Sequence, residues 1–395
     1  PNDRSVPVAN RFTRRQFITR GGLAAGGLAF APQILAACGG SDDGSSGGGS
    51  SGGVYFENWP EYIDTAEDGA VDGPGTTLAN FTDQTGVSIK YTEVYNDNNE
   101  YFAKIQPLLS QGNTIAPNVI APTYWMAGRL INLEWVDKLP LDKIPNSSNL
   151  VASLQKPPSD PTGEYSLPWQ AGMAGIAYNL SATGGKELTS VADLWDPALS
   201  GKVAMLTEMR DTLGIIALSE GVDISTANTM ADYEPAFATL QEQVDSGQIR
   251  QFTGNEYVGP LEDGTLAACI AWSGDVLGMN NPDVRFVIPD SGGTLWFDTM
   301  IIPKGASGVD DVAQWMNFVY DPVNAAKITE SVQFISPVEG VQDELRSMGG
   351  DAAALADSPL LFPDEATEER LYTFATLSDD EEAAFDEEFS RISGA

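Results

Sequence analysis

From residue 54 onward the apolar positions switch repeatedly between two spacings. Short apolar runs at 54–57 and 118–121 predict strands, as does the alternation over 87–94. Further strands are predicted at 175–178, 202–206, 267–272, 285–288 and 294–302. Elsewhere the spacing lengthens to three or four, which predicts helices over 78–85, 99–110, 211–219, 230–245, 309–320, 323–333 and 379–392. Gly86 ends the first of these, because a residue without a Cβ suits a helix C-terminus. In the helix at 309–320, Val312, Trp315, Met316 and Val319 form one apolar stripe. Strand–helix alternation over this length predicts an α/β fold with largely parallel sheets. No internal repeat is visible.

The pattern before residue 54 is of another kind. Thr13-Arg14-Arg15-Gln16-Phe17-Ile18 is a twin-arginine signature, and a Gly-rich apolar stretch at 21–35 follows it. That stretch is too short to span a bilayer stably. Leu35-Ala36-Ala37-Cys38-Gly39 then has the form of a bacterial lipobox, in which the chain is cut before the cysteine and its thiol is lipidated. The expectation is a signal over 1–37, lipidation at Cys38, and a Gly/Ser-rich tether over 38–53 that cannot bury a core. The folded part would then sit outside the cytoplasm, in the periplasm or on the outer face of the cytoplasmic membrane. Cys269, in an apolar run, is the one other thiol and reads as a small buried hydrophobe.

Composition removes whole classes of chemistry. At 395 residues, 42% of them hydrophobic, the chain can build two cores of ordinary size. It has no histidine, hence no Ser-His or Cys-His nucleophile pair. Two cysteines support neither a disulfide framework nor a zinc site. The stretch Asp64-Thr65-Ala66-Glu67-Asp68-Gly69 lacks the EF-hand spacing, and no cofactor is expected. Net charge is −35; the signal carries five arginines against one aspartate, so its removal leaves −39. Such a surface argues against nucleic acid as a partner. It fits either solubility at high salt or the steering of cations.

Three tryptophans stand beside a carboxylate in similar units: Trp59-Pro60-Glu61, Trp272-Ser273-Gly274-Asp275 and Trp296-Phe297-Asp298. The first two follow predicted strands, where open α/β folds place their ligands. Trp296 and Asp298 lie two apart in a predicted strand and share a face. An indole beside a carboxylate suits an alkylammonium ion, through cation–π attraction and a charge-assisted hydrogen bond. Trp125, Tyr62 and Phe334 are candidates for further aromatic walls. Each unit also has a plainer reading: a tryptophan fills cores, and an aspartate after a strand caps helices, as Asp275 would for a helix starting at Val276.

From residue 54 to near its end the chain resembles the spermidine/putrescine-binding proteins of bacterial polyamine importers. The resemblance rests on Tyr55-Phe56-Glu57-Asn58-Trp59-Pro60-Glu61-Tyr62, Thr85-Gly86-Val87-Ser88-Ile89, Ala121-Pro122-Thr123-Tyr124, Tyr165-Ser166-Leu167-Pro168-Trp169, Ala192-Asp193-Leu194-Trp195 and Gly293-Thr294-Leu295-Trp296-Phe297-Asp298. It implies a two-lobe periplasmic-binding-protein fold of type II, each lobe a mixed, mainly parallel sheet flanked by helices, closing on ligand in the interlobe cleft. Lobe 1 would comprise 54–171 and 297–345, and lobe 2 would comprise 172–296 and 346–395. The ligand residues carried over are Trp59, Glu61, Tyr62, Thr123, Trp125, Asp211, Trp272, Asp275, Trp296, Asp298 and Phe334. Pro60 stands where the family has a hydroxyl residue, and Phe334 where it has tyrosine. No counterpart of a late family glutamine is found near Phe374. The resemblance implies no catalysis; a monomer is expected, with ABC permease subunits as partners. Agmatine or another cationic amine is an alternative cargo, and an exported hydrolase a distant alternative function.

Overall fold

The computed structural model describes residues 52–279 and 281–394, so the twin-arginine stretch and Cys38 lie outside the described residues. Its strands in chain order are β1 Val54–Asn58, β2 Ile89–Glu93, β3 Val119–Ile120, β4 Val136–Asp137, β5 Ser166–Asn179, β6 Val203–Leu206, β7 Ile249–Thr253, β8 Ala268–Trp272, β9 Val284–Val287, β10 Gly293–Pro303 and β11 Leu371–Tyr372. Hydrogen bonds run along β2-β1-β3-β10-β5-β8-β6-β7, with β4 and β11 beside β10 and β9 beside β5. β1 is parallel to β2 and β3, and β6 is parallel to β7 and β8. Between these two parallel groups run β5 and β10, antiparallel to each other.

Local chemistry explains the element ends. Thr76 caps the helix Thr77–Thr85 by accepting the Ala79 N–H, and Gly86 closes it in the left-handed conformation at φ 72°. Asp97 caps Asn98–Leu109 through the Asn99 and Glu100 N–H groups. The chain enters β1 through Gly53, whose N–H donates to Asp311 while its carbonyl accepts from Asn118.

Two sets of apolar side chains form, one at each end of the β5–β10 pair. The first gathers Phe56, Phe81, Trp169, Trp315 and Leu345, with a neighbouring group of Ile105, Ile120, Met126, Phe297 and Ile301. Trp315 is fully buried and meets Phe56 and Phe81 at steep ring angles. Truncating such a side chain to alanine typically costs about 3–5 kcal/mol. The second set holds Ile176, Met205, Leu213, Tyr233, Ile270, Phe385 and Phe389. Cys269 belongs to it, and burial pushes its thiol well above the usual range, so it is the inert hydrophobe expected. Trp272 and Trp296 pack against both sets. Ala352 and Ala356 pack with Val341 and Leu345, so the first core continues past residue 345, where the sequence reading ended its first lobe.

β5 is the largest departure from the sequence reading, which predicted a strand only at 175–178. All 14 residues of β5 are buried, so neither face alternates, and Pro168, Gly172 and Gly175 interrupt the run.

Candidate functional site

The carboxyl ends of β1, β3, β6 and β8 converge where the two cores meet, as the general rule for open α/β sheets requires. β1 leads into Trp59, Glu61 and Tyr62; β3 leads to Thr123; β6 precedes Asp211; β8 ends at Trp272, with Asp275 one turn on. β10 runs between the two cores and carries Thr294, Trp296 and Asp298 at alternate positions, hence on one face.

Asp298 is 5% exposed. Tyr62 Oη donates to its Oδ2 at 2.9 Å, and Thr123 Oγ1 donates to its Oδ1 at 2.7 Å. Thr123 is itself held by Asn98, whose Nδ2 donates to the hydroxyl at 2.8 Å. Burial pushes the Asp298 carboxyl up to about 7; the two hydroxyl donors oppose the shift, and the charge of Asp211 adds to it.

Asp211 repeats this arrangement from the second core. Trp272 Nε1 donates to Oδ2 at 2.7 Å, and Thr294 Oγ1 donates to Oδ1 at 2.5 Å. Its carboxyl is also raised by burial. Among the described residues, neither Asp298 nor Asp211 forms an ion pair with lysine or arginine, whereas the buried Glu382 pairs with Arg210. Asp275 accepts from Asn255 at 2.6 Å and from Tyr257 at 2.7 Å, and the Tyr257 hydroxyl also receives the Trp272 N–H. Asp275 is not a helix cap: the helix is Ser273–Leu277, and Asp275 lies within its first turn.

Aromatic rings line the same region. Phe334 packs edge-on against Tyr62 at 5.7 Å and Trp296 at 5.3 Å. Two glycines admit these rings. A Cβ on Gly172 would lie 2.3 Å from Trp296 Cζ2, and one on Gly274 would lie 2.4 Å from Phe334 Cε1. Trp59 donates its indole N–H to the Ala121 carbonyl at 2.8 Å and leans on Tyr95, ring centres 4.9 Å apart. Glu61, at φ 54°, is a non-glycine residue in the left-handed region, a form of backbone strain that concentrates at functional sites. At Trp125 one ring face is taken by a cation of the chain itself: the Arg210 guanidinium lies 3.4 Å from its ring centre.

Tyr62, Thr123 and Asp298 are thus joined by hydrogen bonds, Trp296 and Phe334 by packing, and Asp211 to Trp272 through its indole. The sequence reading missed the neutral donors Asn98, Asn255, Tyr257 and Thr294. Thr294 had a usable signal, since it shares the period-2 face of Trp296 and Asp298. Asn255 and Tyr257 had none, because they reach Asp275 across the fold.

The chain matches the family of bacterial extracellular solute-binding proteins over residues 76–362. It is 25% identical to the spermidine/putrescine-binding periplasmic protein of Escherichia coli over 316 residues, 80% of this chain and 84% of that one. It is 27% identical to a putrescine-binding periplasmic protein of Pseudomonas aeruginosa over 364 residues, 85% and 90% of the two chains. Its structure superposes on a spermidine/putrescine ABC transporter substrate-binding protein from Streptococcus pneumoniae with a TM-score of 0.70 at 22% identity, covering 86% of this chain and 98% of that one. That likeness shows a shared α/β binding-protein fold. With a family match that spans most of its folded part, residues 76–362, the chain is a member of the bacterial extracellular solute-binding protein family.

Proposed function

We propose that this protein captures a polyamine, putrescine or spermidine, outside the cytoplasm and delivers it to an ABC importer. One observation carries the reading: among the described residues Asp298 and Asp211 are buried carboxylates held by neutral donors, with Trp296 between their anchor points on β10. From Thr294, which holds Asp211, to Asp298 is four strand residues, about 13 Å of backbone at ~3.3 Å per residue. That row suits an extended alkylamine with an ammonium group toward each carboxylate and methylenes across the indole. The names of the two bacterial relatives agree with such a cargo. On the same reading the cores are lobes that close on the ligand, and acyl chains at Cys38 tether the protein to the membrane. Among the described residues no helix is long and apolar enough to cross a membrane.

The test is calorimetric titration of ligand-depleted protein with putrescine, spermidine, agmatine and uncharged 1,4-butanediol. Saturable binding of a polyamine, none of the diol, and recovery of the amine unchanged are expected. A protein that binds no amine, or binds the diol as well as putrescine, refutes the reading.

A further inference from the structure

We infer that Gln170 is a ligand-contacting residue that gives the ammonium at Asp298 a second acceptor and thereby selects a primary amine over an N-alkylated one. The inference rests on the proposed amine function and deepens it.

The strand register places the residue. Gln170, Gly172 and Ala174 of β5 stand opposite Asp298, Trp296 and Thr294 of β10. Directly opposed residues of an antiparallel pair project to the same face, with Cβ atoms about 5 Å apart. Of those three β5 residues only Gln170 carries a polar side chain. It is 2% exposed, and its carbonyl oxygen has no hydrogen-bond partner among the described residues. The register also shifts between Asp298 and Thr299, and an irregularity of this kind commonly re-aims a side chain beside a functional site.

The chemistry follows from counting donors. Each Asp298 oxygen accepts one hydrogen bond, from Tyr62 or Thr123, which leaves the carboxylate two lone pairs for ligand. A primary ammonium brings three N–H groups, more than that carboxylate alone satisfies. The Gln170 amide stands in register to accept another. A quaternary nitrogen has no N–H, so it would leave the carbonyl unpaired and press methyl groups against it. Sites built around a buried hydrogen-bonding group reject ligands that lack the matching group steeply.

Putrescine and its bis-quaternary analogue, with three methyl groups on each nitrogen, are titrated into wild type and Gln170→Met. The methionine keeps the length of the side chain and removes the acceptor. Wild type should prefer putrescine. In Gln170→Met putrescine should bind about tenfold more weakly, and its preference over the analogue should shrink by a similar factor. A preference unmoved by Gln170→Met overturns the inference while leaving the amine function standing. Wild type that binds neither ligand overturns both. Should Gln170→Met fail to melt cooperatively, the wild-type protein decides by nuclear magnetic resonance. Its Gln170 side-chain amide signal, identified by its loss in Gln170→Glu, should shift when putrescine is added; a signal that stays put overturns the inference.

Discussion

Asp298 is raised by burial to about 7, so near neutral pH part of the ligand-free population holds a proton there. An ammonium needs the carboxylate form. Polyamine affinity should therefore fall as pH drops below about 7, by up to tenfold per unit from this group. For stability the sign is opposite. A raised pKa means that the folded state holds the proton more tightly than the unfolded one. That contribution is present below the ordinary aspartate value of about 4 and is lost as pH rises through about 7. Asp298→Asn should flatten the pH dependence of binding between pH 6 and 8; an unchanged profile would remove Asp298 from the ammonium site. At pH 8 the same substitution should weaken a polyamine about 30-fold, on the order of 2 kcal/mol, because it leaves a desolvated ammonium without its anion. Asp72→Asn, in an exposed Gly-rich loop, is the control. Equal losses in a calorimetric titration of the two variants would mean that the diffuse acidic field attracts amines.

At the scale of elements, the site depends on two close approaches of ring to backbone. Adding a Cβ at Gly172 brings it 2.3 Å from the Trp296 indole, a rigid group wedged against both cores. Gly172→Ala should cost about 1–3 kcal/mol of stability by overpacking and should weaken binding by displacing the indole. Thermal melts and titrations matching wild type would show that the ring has room to move. The legible elements were those whose pattern is local. The Val309 stripe and the Gly86 stop were visible because an amphipathic face and a left-handed cap are written within a dozen residues. Trp296 and Asp298 shared a face by strand period alone. β5 was hidden because burial on both faces erases the alternation that marks a strand. The Trp125–Arg210 contact was hidden because the two residues are 85 apart in the chain and only the fold brings them together.

For the whole molecule, strand–helix alternation gave the α/β class, and resemblance supplied the two lobes. The resemblance put the lobe boundary at residues 171 and 172; composition alone does not mark it, since nothing in Ala171 to Ala174 distinguishes a crossing. If the cores close on ligand, saturating polyamine should shrink the radius of gyration in solution scattering. It should also raise the melting temperature by mass action, about 2.7 kcal/mol at a ligand concentration one hundred times Kd. Scattering curves unchanged by ligand would argue for a preformed, rigid site. Export is a separate matter. The mature protein should begin at Cys38 and carry acyl chains, and Cys38→Ser should abolish them. An intact mass in the native host that corresponds to an unmodified Cys38 would contradict the lipobox reading.

The paired strands β5 and β10 act on the molecule as a mechanical part. Two ribbons locked in register by ladder hydrogen bonds resist sliding, since a slip by one residue would break the ladder and turn every side chain to the wrong face. They yield to flexing and twisting. If the cores close on ligand as proposed, the freedom left between them is rotational, and a slight change in curvature at Trp296 would become a long arc at the lobe tips. Thr294, Trp296 and Asp298 lie on β10 itself. On the proposed reading a ligand laid along them would work as a splint on an elbow: a molecule of the right length would fix the angle, and one that is too short would leave the joint loose.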